Sequence, residues 1–295
     1  MAPIPRLRDY EGPALLSYGF RPFFLFGSLY AGLAILVWLP LFYGELEIST
    51  VFSPLDWHIH EMLYGYLTAV ITGFLLTAVP NWTGRLPIQG RPLLVLVLAW
   101  VAGRIAVTTS AWIGWLPAAL IDLSFLALVA AATAREIIKG RNWRNLKVLI
   151  IVAVLLVGNL IFHVESHVDG MADCGVRIGI GASIMLIMLI GGRIVPSFTR
   201  NWLVRENPGR LPASFGIFDI ITLICAGAAL VAWIVAPDWA IAGAALIASG
   251  ILQAVRLARW AGDRTWRARL VLILHVAYAF VPLGFILVGA SSLGL

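Results

Sequence analysis

The run Trp57-His58-Ile59-His60-Glu61-Met62-Leu63-Tyr64-Gly65-Tyr66 gathers imidazoles, a carboxylate, a thioether and phenols, and continues into Gly73-Phe74-Leu75-Leu76-Thr77-Ala78-Val79-Pro80-Asn81-Trp82-Thr83-Gly84. Polar groups of this kind at the mouth of an apolar helix point to function, because lipid rejects them. His58, His60 and Met62 can ligate a metal, and imidazole with thioether favours copper. If a helix begins before them, His58 and His60 point to nearly opposite sides, so they share an ion only on a non-helical turn. Tyr64 and Glu61 are then the supporting partners that orient a ligand.

Asn159-Leu160-Ile161-Phe162-His163-Val164-Glu165-Ser166-His167 puts His163 and His167 four residues apart on one helical face, with Asn159 one turn below His163. That spacing suits Zn, Cu or Fe. It equally suits a pair solvated at a helix end. His163 and His167 share the depth of His60, so a site between the second and fifth apolar runs is geometrically allowed. In Leu274-His275-Val276-Ala277-Tyr278 the imidazole lies about seven residues, or roughly 10 Å, inside the opposite end of its helix. This opposes pairing His60 and His275 across one haem iron, and leaves His275 to a separate cofactor site or to a carbonyl. Arg104 and Asp122 flank the short turn Thr109–Trp115 at similar depth and can pair. A buried pair is structural glue, since removing one partner is strongly destabilising; a contact to an anionic substrate or a haem propionate is the alternative for Arg104.

The elements that carry these residues follow from composition. Of the 295 residues 61% are hydrophobic and 12% charged, about half the charge of a soluble domain. Apolar runs long enough to cross a bilayer lie near 18–43, 60–79, 92–110, 115–134, 146–164, 175–195, 214–236, 239–257 and 268–290. They predict an all-α polytopic bundle, a single membrane-embedded domain over 1–295. In the second run His60, Tyr64, Thr68 and Thr72 form a polar stripe winding slowly around the helix, beside a stripe of Glu61, Gly65, Ala69, Gly73 and Thr77. Small residues at that interval admit a neighbouring backbone closely. The face is either a packed seam with a hydrogen-bonded His or the wall of a metal or macrocycle site. Gly175, Gly179 and Ser183 make a similar seam, and Gly191-Gly192-Arg193 to Pro196 reads as a helix exit broken by glycine and proline, with Arg193 and Arg200 at the surface or on a lipid phosphate.

With the N-terminus cytoplasmic, the inner segments hold Arg6, Arg8 and Arg21, the clusters around Arg85, Arg144 and Arg205, and Arg256 to Arg269. Only Arg104 and Arg177 of the 21 basic residues fall elsewhere. The net charge of +6 therefore reflects topology and excludes a nucleic-acid partner as its cause. No removable signal peptide is read at the N-terminus. Cys174 and Cys225 are too few for a disulfide framework and differ in depth, so they should not pair.

The block His58 to Tyr66 with Gly73 to Ala78 and Asn81-Trp82-Thr83-Gly84 resembles the NnrS family of bacterial inner-membrane proteins. Gly192-Arg193 through Phe198-Thr199-Arg200-Asn201 and Leu274 to Tyr278 are similar to later signatures, so the likeness runs over essentially the whole chain. The resemblance implies a haem- and copper-containing protein of the inner membrane, in nitric oxide metabolism and defence against nitrosative stress. Such proteins have about twelve spans of bilayer-crossing length, the last with a histidine, so this chain reads as a truncated form. A distant likeness to haem-copper oxidases is analogy alone.

Two readings compete. In the first, His60 with His163, His58 and Met62 binds haem or copper, and the ligand is nitric oxide or an iron-nitrosyl species; the electron donor is unspecified and no general acid, base or nucleophile can be named. In the second, a transporter or channel, the stripes line a path without metal, which would favour repeated broken helices in two halves; none is read. A haem-binding sensor or assembly factor without turnover is a third.

Overall fold

The computed structural model describes residues 10–295, so Arg6 and Arg8 lie outside the described residues. Every regular element among these is helical. The helices are α1 (Phe20–Phe42), α2 (Pro54–His60), a π-helical turn (Glu61–Tyr66), α3 (Leu67–Thr83), α4 (Arg91–Thr108), α5 (Ser110–Ile113), α6 (Trp115–Lys139), α7 (Leu146–Val168), α8 (Cys174–Glu206), α9 (Ile217–Val235), α10 (Ala240–Ala258) and α11 (Arg269–Ser292). Among the described residues nine helical stretches are long and apolar enough to cross a membrane, with α2, the π turn and α3 forming one of them. The chain is a multi-pass membrane protein. Large apolar side chains such as Leu36, Ile105, Ile224 and Leu270 point outward, as lipid permits, while backbone polar groups are satisfied within the helices.

Two of the expected boundaries move. The second span begins at Pro54 instead of near residue 60, because Ser53 caps it: its Oγ accepts from the Asp56 amide at 3.1 Å, and Pro54 follows where no amide hydrogen is needed. The sixth span does not exit at Gly191–Pro196. It continues as one helix to Glu206 with Pro196 inside. Proline removes one helical hydrogen bond, and membrane helices tolerate this where neighbours engage nearby backbone. In the same stretch Arg256 Nη1 donates to the Met188 carbonyl at 3.2 Å and Thr199 Oγ1 to that of Val195 at 2.8 Å, though neither reaches the Gly192 carbonyl that Pro196 leaves without its helical donor.

The chain forms two compact units, one ending at Ile180 and the other spanning Gly181–Leu295. In the first, α1 packs on α3, α4 on α6 and α6 on α7, with the π turn touching α1 and α4. The stripes of the second span are protein-facing as expected up to its last turns: His60, Tyr64, Thr68 and Thr72 are buried, as are Glu61, Gly65, Ala69 and Gly73, while Thr77 is half-buried. In the second unit, Met188, Val195, Leu230, Leu246, Trp260, Tyr278 and Phe285 pack together. Arg256, expected among the cytoplasmic charges, is buried there, with Nε on Asp219 Oδ1 at 2.9 Å and Nη1 on the Tyr278 hydroxyl at 3.0 Å. Cys174 and Cys225 are both free.

Candidate functional site

Four helices bring ionisable groups to one depth inside the first unit. His60 lies six residues into α2, Asp122 seven into α6, His163 five from the end of α7 and Arg104 four from the end of α4. At 1.5 Å per residue these sit roughly 6–10 Å below the helix ends. The cluster is therefore enclosed one to two turns below the rim, and His60, Glu61, Arg104, Asp122, Asn159 and His163 are all buried.

Asp122 is its centre. Its Oδ2 lies 3.3 Å from His60 Nε2 and 3.2 Å from His163 Nε2, and accepts from Asn159 Nδ2 at 2.7 Å. Its Oδ1 accepts from Arg104 Nη2. Glu61 is the second acid: Oε1 is 3.0 Å from His60 Nδ1, and Oε2 accepts from Arg104 Nη1 at 2.6 Å and from the Tyr30 hydroxyl. The Arg104–Asp122 pairing expected from the hairpin is present, extended by Glu61 into a bridge. The π turn helps, because its wider winding re-aims the side chains that follow His60, and such turns recur at functional sites. A Cβ on Gly65 would come within 2.5 Å of Arg104 Nη1, and one on Gly103 within 2.8 Å of Asp122 Oδ1. Only hydrogen at these positions leaves space for the ion pairs.

The imidazole of His60 is held from both ends. Nδ1 faces the Glu61 carboxylate, while Nε2 faces Asn159 Oδ1 at 3.0 Å and Asp122 Oδ2. Asn159 cannot turn its amide nitrogen toward His60 without losing the bond that nitrogen gives Asp122. Nε2 thus meets oxygen acceptors alone and needs a hydrogen or a cation. The charges say the same: two carboxylates face one guanidinium, leaving one positive charge to be supplied, and buried charge without a partner is costly.

The group fits an ion. One nitrogen of His60, one of His163 and one oxygen of Asp122 all lie within 4.8 Å of one another. Two ligands about 2.0–2.1 Å from one metal at a tetrahedral angle stand about 3.3 Å apart, which matches the separations of both histidines from Asp122. The nitrogen and oxygen donors suit Zn, Fe or Cu, and the Glu61–His60 bond is the carboxylate support that metal-bound imidazoles carry. A haem does not fit between His60 and His163. Their ring centroids are 5.0 Å apart, Asp122 Oδ2 is within 3.3 Å of both nitrogens, and Phe52 and Phe162 close on the rings at 5.1–5.3 Å.

The remaining histidines are engaged elsewhere. His58 stacks on Trp38 at 3.9 Å and exposed His167 on Trp115 at 4.2 Å. α2 is helical through both His58 and His60, so they diverge as the spacing requires. The contacts around Asp122 do not include Met62, which is half-buried on the π turn. Tyr64 leans on His60 at 5.6 Å but gives its hydroxyl to the Gly175 carbonyl at 2.6 Å, tying down the start of α8. His275 belongs to the second unit. The Thr199 hydroxyl donates to Val195, so it accepts from His275 Nε2 at 2.8 Å, and Nδ1 abuts Gly262. Sequence reasoning left out Asp122 as the hub, Asn159 as its neighbour and Tyr30 altogether. The first had a signal, an acid at membrane depth; a lone phenol in α1 had none.

Residues 14–295 match the profile of a family described as NnrS protein. No curated protein matches the chain, and no solved structure does.

Proposed function

The chain belongs to the NnrS family, and from that premise we propose that it is a metal-binding protein of the bacterial inner membrane acting on nitric oxide or iron-nitrosyl species in nitrosative-stress defence. The N-terminus is cytoplasmic in this reading, which puts the metal in the outer half of the bilayer. His60, His163 and Asp122 hold the ion. The observation that carries this is the placing of both imidazole nitrogens 3.2–3.3 Å from one carboxylate oxygen, in a cluster lacking one positive charge.

Copper is the metal the family implies; without the Met62 thioether the two imidazoles and one carboxylate accept it alongside Zn and Fe, and when bound it would supply a redox-active centre able to take a small neutral ligand. The chain's own residues do the rest. Glu61 fixes the orientation of the His60 ring, Arg104 offsets the two carboxylates, and Phe52 and Phe162 keep bulk water from the rings. The haem that the family implies belongs outside this cluster.

The test is metal and haem analysis of purified protein with His60→Ala and His163→Ala variants. Copper in near-stoichiometric amount in the parent, lost in both variants, is expected. Equal metal in all three, or none in the parent, overturns the assignment.

A further inference from the structure

At the end of the first unit away from His60 and His163, the loop joining α3 to α4 roofs a cavity of about 950 Å³ between the start of α4 and the end of α6, the size of a small-molecule site. Arg85 and Gln89 from the loop, Val95 from α4, and Leu128, Arg135 and Glu136 from α6 line it. Arg135 lies roughly 20 Å along α6 from Asp122. The roof is held in place: Gln89 Nε2 donates to the Ser17 carbonyl at 2.6 Å and the Gly90 amide to that of Leu16 at 3.0 Å.

Glu136, a buried wall residue, places both guanidinium groups at the cavity. Arg85 Nε donates to its Oε2, and Arg135 Nε stands 3.9 Å from its Oε1. Among the described residues neither Nη nitrogen of Arg85 and no nitrogen of Arg135 makes a hydrogen bond, and the two side chains are 36% and 62% exposed. Two guanidiniums against one carboxylate leave one positive charge and two planar sets of donors, which match the oxygens of a phosphate. The rest of the wall is apolar and open to hydrocarbon, with Val95 and Leu128 at 54% and 40% exposure. A soluble anion makes no use of that wall, and a hydrocarbon tail alone leaves the charge unmet. A lipid carrying a phosphate above an acyl chain meets both demands, and basic pockets between membrane helices bind such head groups.

We propose that this cavity binds an anionic phospholipid, its phosphate between Arg85 and Arg135 and one acyl chain along Val95 and Leu128. No residue is shared with the buried histidine cluster, so this assignment and that of the metal fail separately.

The experiment adds dioleoylphosphatidylglycerol to the full chain in a neutral detergent and counts bound lipid by native mass spectrometry, with dioleoylphosphatidylcholine and inorganic phosphate as comparisons. Saturable binding of a single lipid is expected, tighter than that of the phosphatidylcholine. Arg135→Gln should weaken it at least about tenfold, while Arg144→Gln, an equal loss of charge at an exposed position in the α6–α7 loop, should not. Val95→Trp, which fills the apolar wall and keeps both arginines, should weaken it as well. Equal binding of phosphatidylcholine, or an equal loss in Arg144→Gln, overturns the proposal. Displacement of the lipid by inorganic phosphate at matching concentration overturns it too, by giving the cavity to a soluble anion. Unchanged affinity in either Arg135→Gln or Val95→Trp, with monodisperse protein, does the same.

Discussion

His60 is restrained through both ring nitrogens, so its neighbours can be removed one at a time with different outcomes. Glu61→Gln, with its one oxygen kept near Nδ1, removes the charge that raises the ligand's basicity and turns its amide nitrogen toward Arg104 Nη1, which loses an acceptor. Metal affinity should fall at least about 10–100-fold, as competition with a calibrated chelator would report, together with a lower unfolding midpoint. Asp122→Ala is a harsher change, since it strips an acceptor from Arg104, Asn159 and His163 together. A buried guanidinium with one partner gone costs about 3–5 kcal/mol, so the midpoint of thermal unfolding in detergent should drop sharply. Leu120→Ala, at an outward position of the same helix, should leave it nearly unchanged. If the two variants unfold together, Asp122 is not the hub.

Helices position this chemistry through local devices that can be tested as such. The π turn at Glu61–Tyr66 brings Gly65 under the Arg104 guanidinium. Gly65→Ala is expected to push Nη1 off Glu61, lowering both stability and metal content, whereas Gly32→Ala, with open space around its would-be Cβ, should do neither. The start of α8 depends on Glu165, whose two carboxylate oxygens accept from the Cys174 and Gly175 amides at 3.1 and 2.8 Å. An acid at a helix N-terminus satisfies orphan donors and meets the positive end of the dipole. Glu165→Ala should cost about 1 kcal/mol and speed amide exchange in the first turn of α8, leaving α4 unaffected.

Over the molecule as a whole, lipid requires apolar side chains outside and polar groups matched inside, and each unit meets that demand with its own buried arginine. Arg104 answers to Glu61 and Asp122 in the first; Arg256 answers to Asp219 and Tyr278 in the second. The proposed orientation is tested with single cysteines in a Cys174→Ser, Cys225→Ser background. Arg144→Cys should react with a membrane-impermeant maleimide only from the cytoplasmic side, and Glu47→Cys and Asp169→Cys only from the other; all three positions are exposed. The reverse pattern would invert the topology and move the buried cluster to the inner half of the bilayer.

Length and apolarity of the runs were sufficient to read nine membrane helices, because hydrocarbon thickness imposes a local requirement that each segment meets alone. The Arg104–Asp122 pair was legible too, since a short hairpin fixes the depth of both residues without knowledge of any other helix. The fate of the remaining polar groups was not local. His58, Met62 and His167 carry the same ligand chemistry as His60 and His163, yet the rotation of each helix about its axis sends His58 onto Trp38 and His167 onto Trp115 and leaves Met62 outside the contacts around Asp122. Tertiary packing decided that two imidazoles and a second acid would converge on that pair. Sequence periodicity describes one helix at a time, and convergence depends on how several of them turn toward one another.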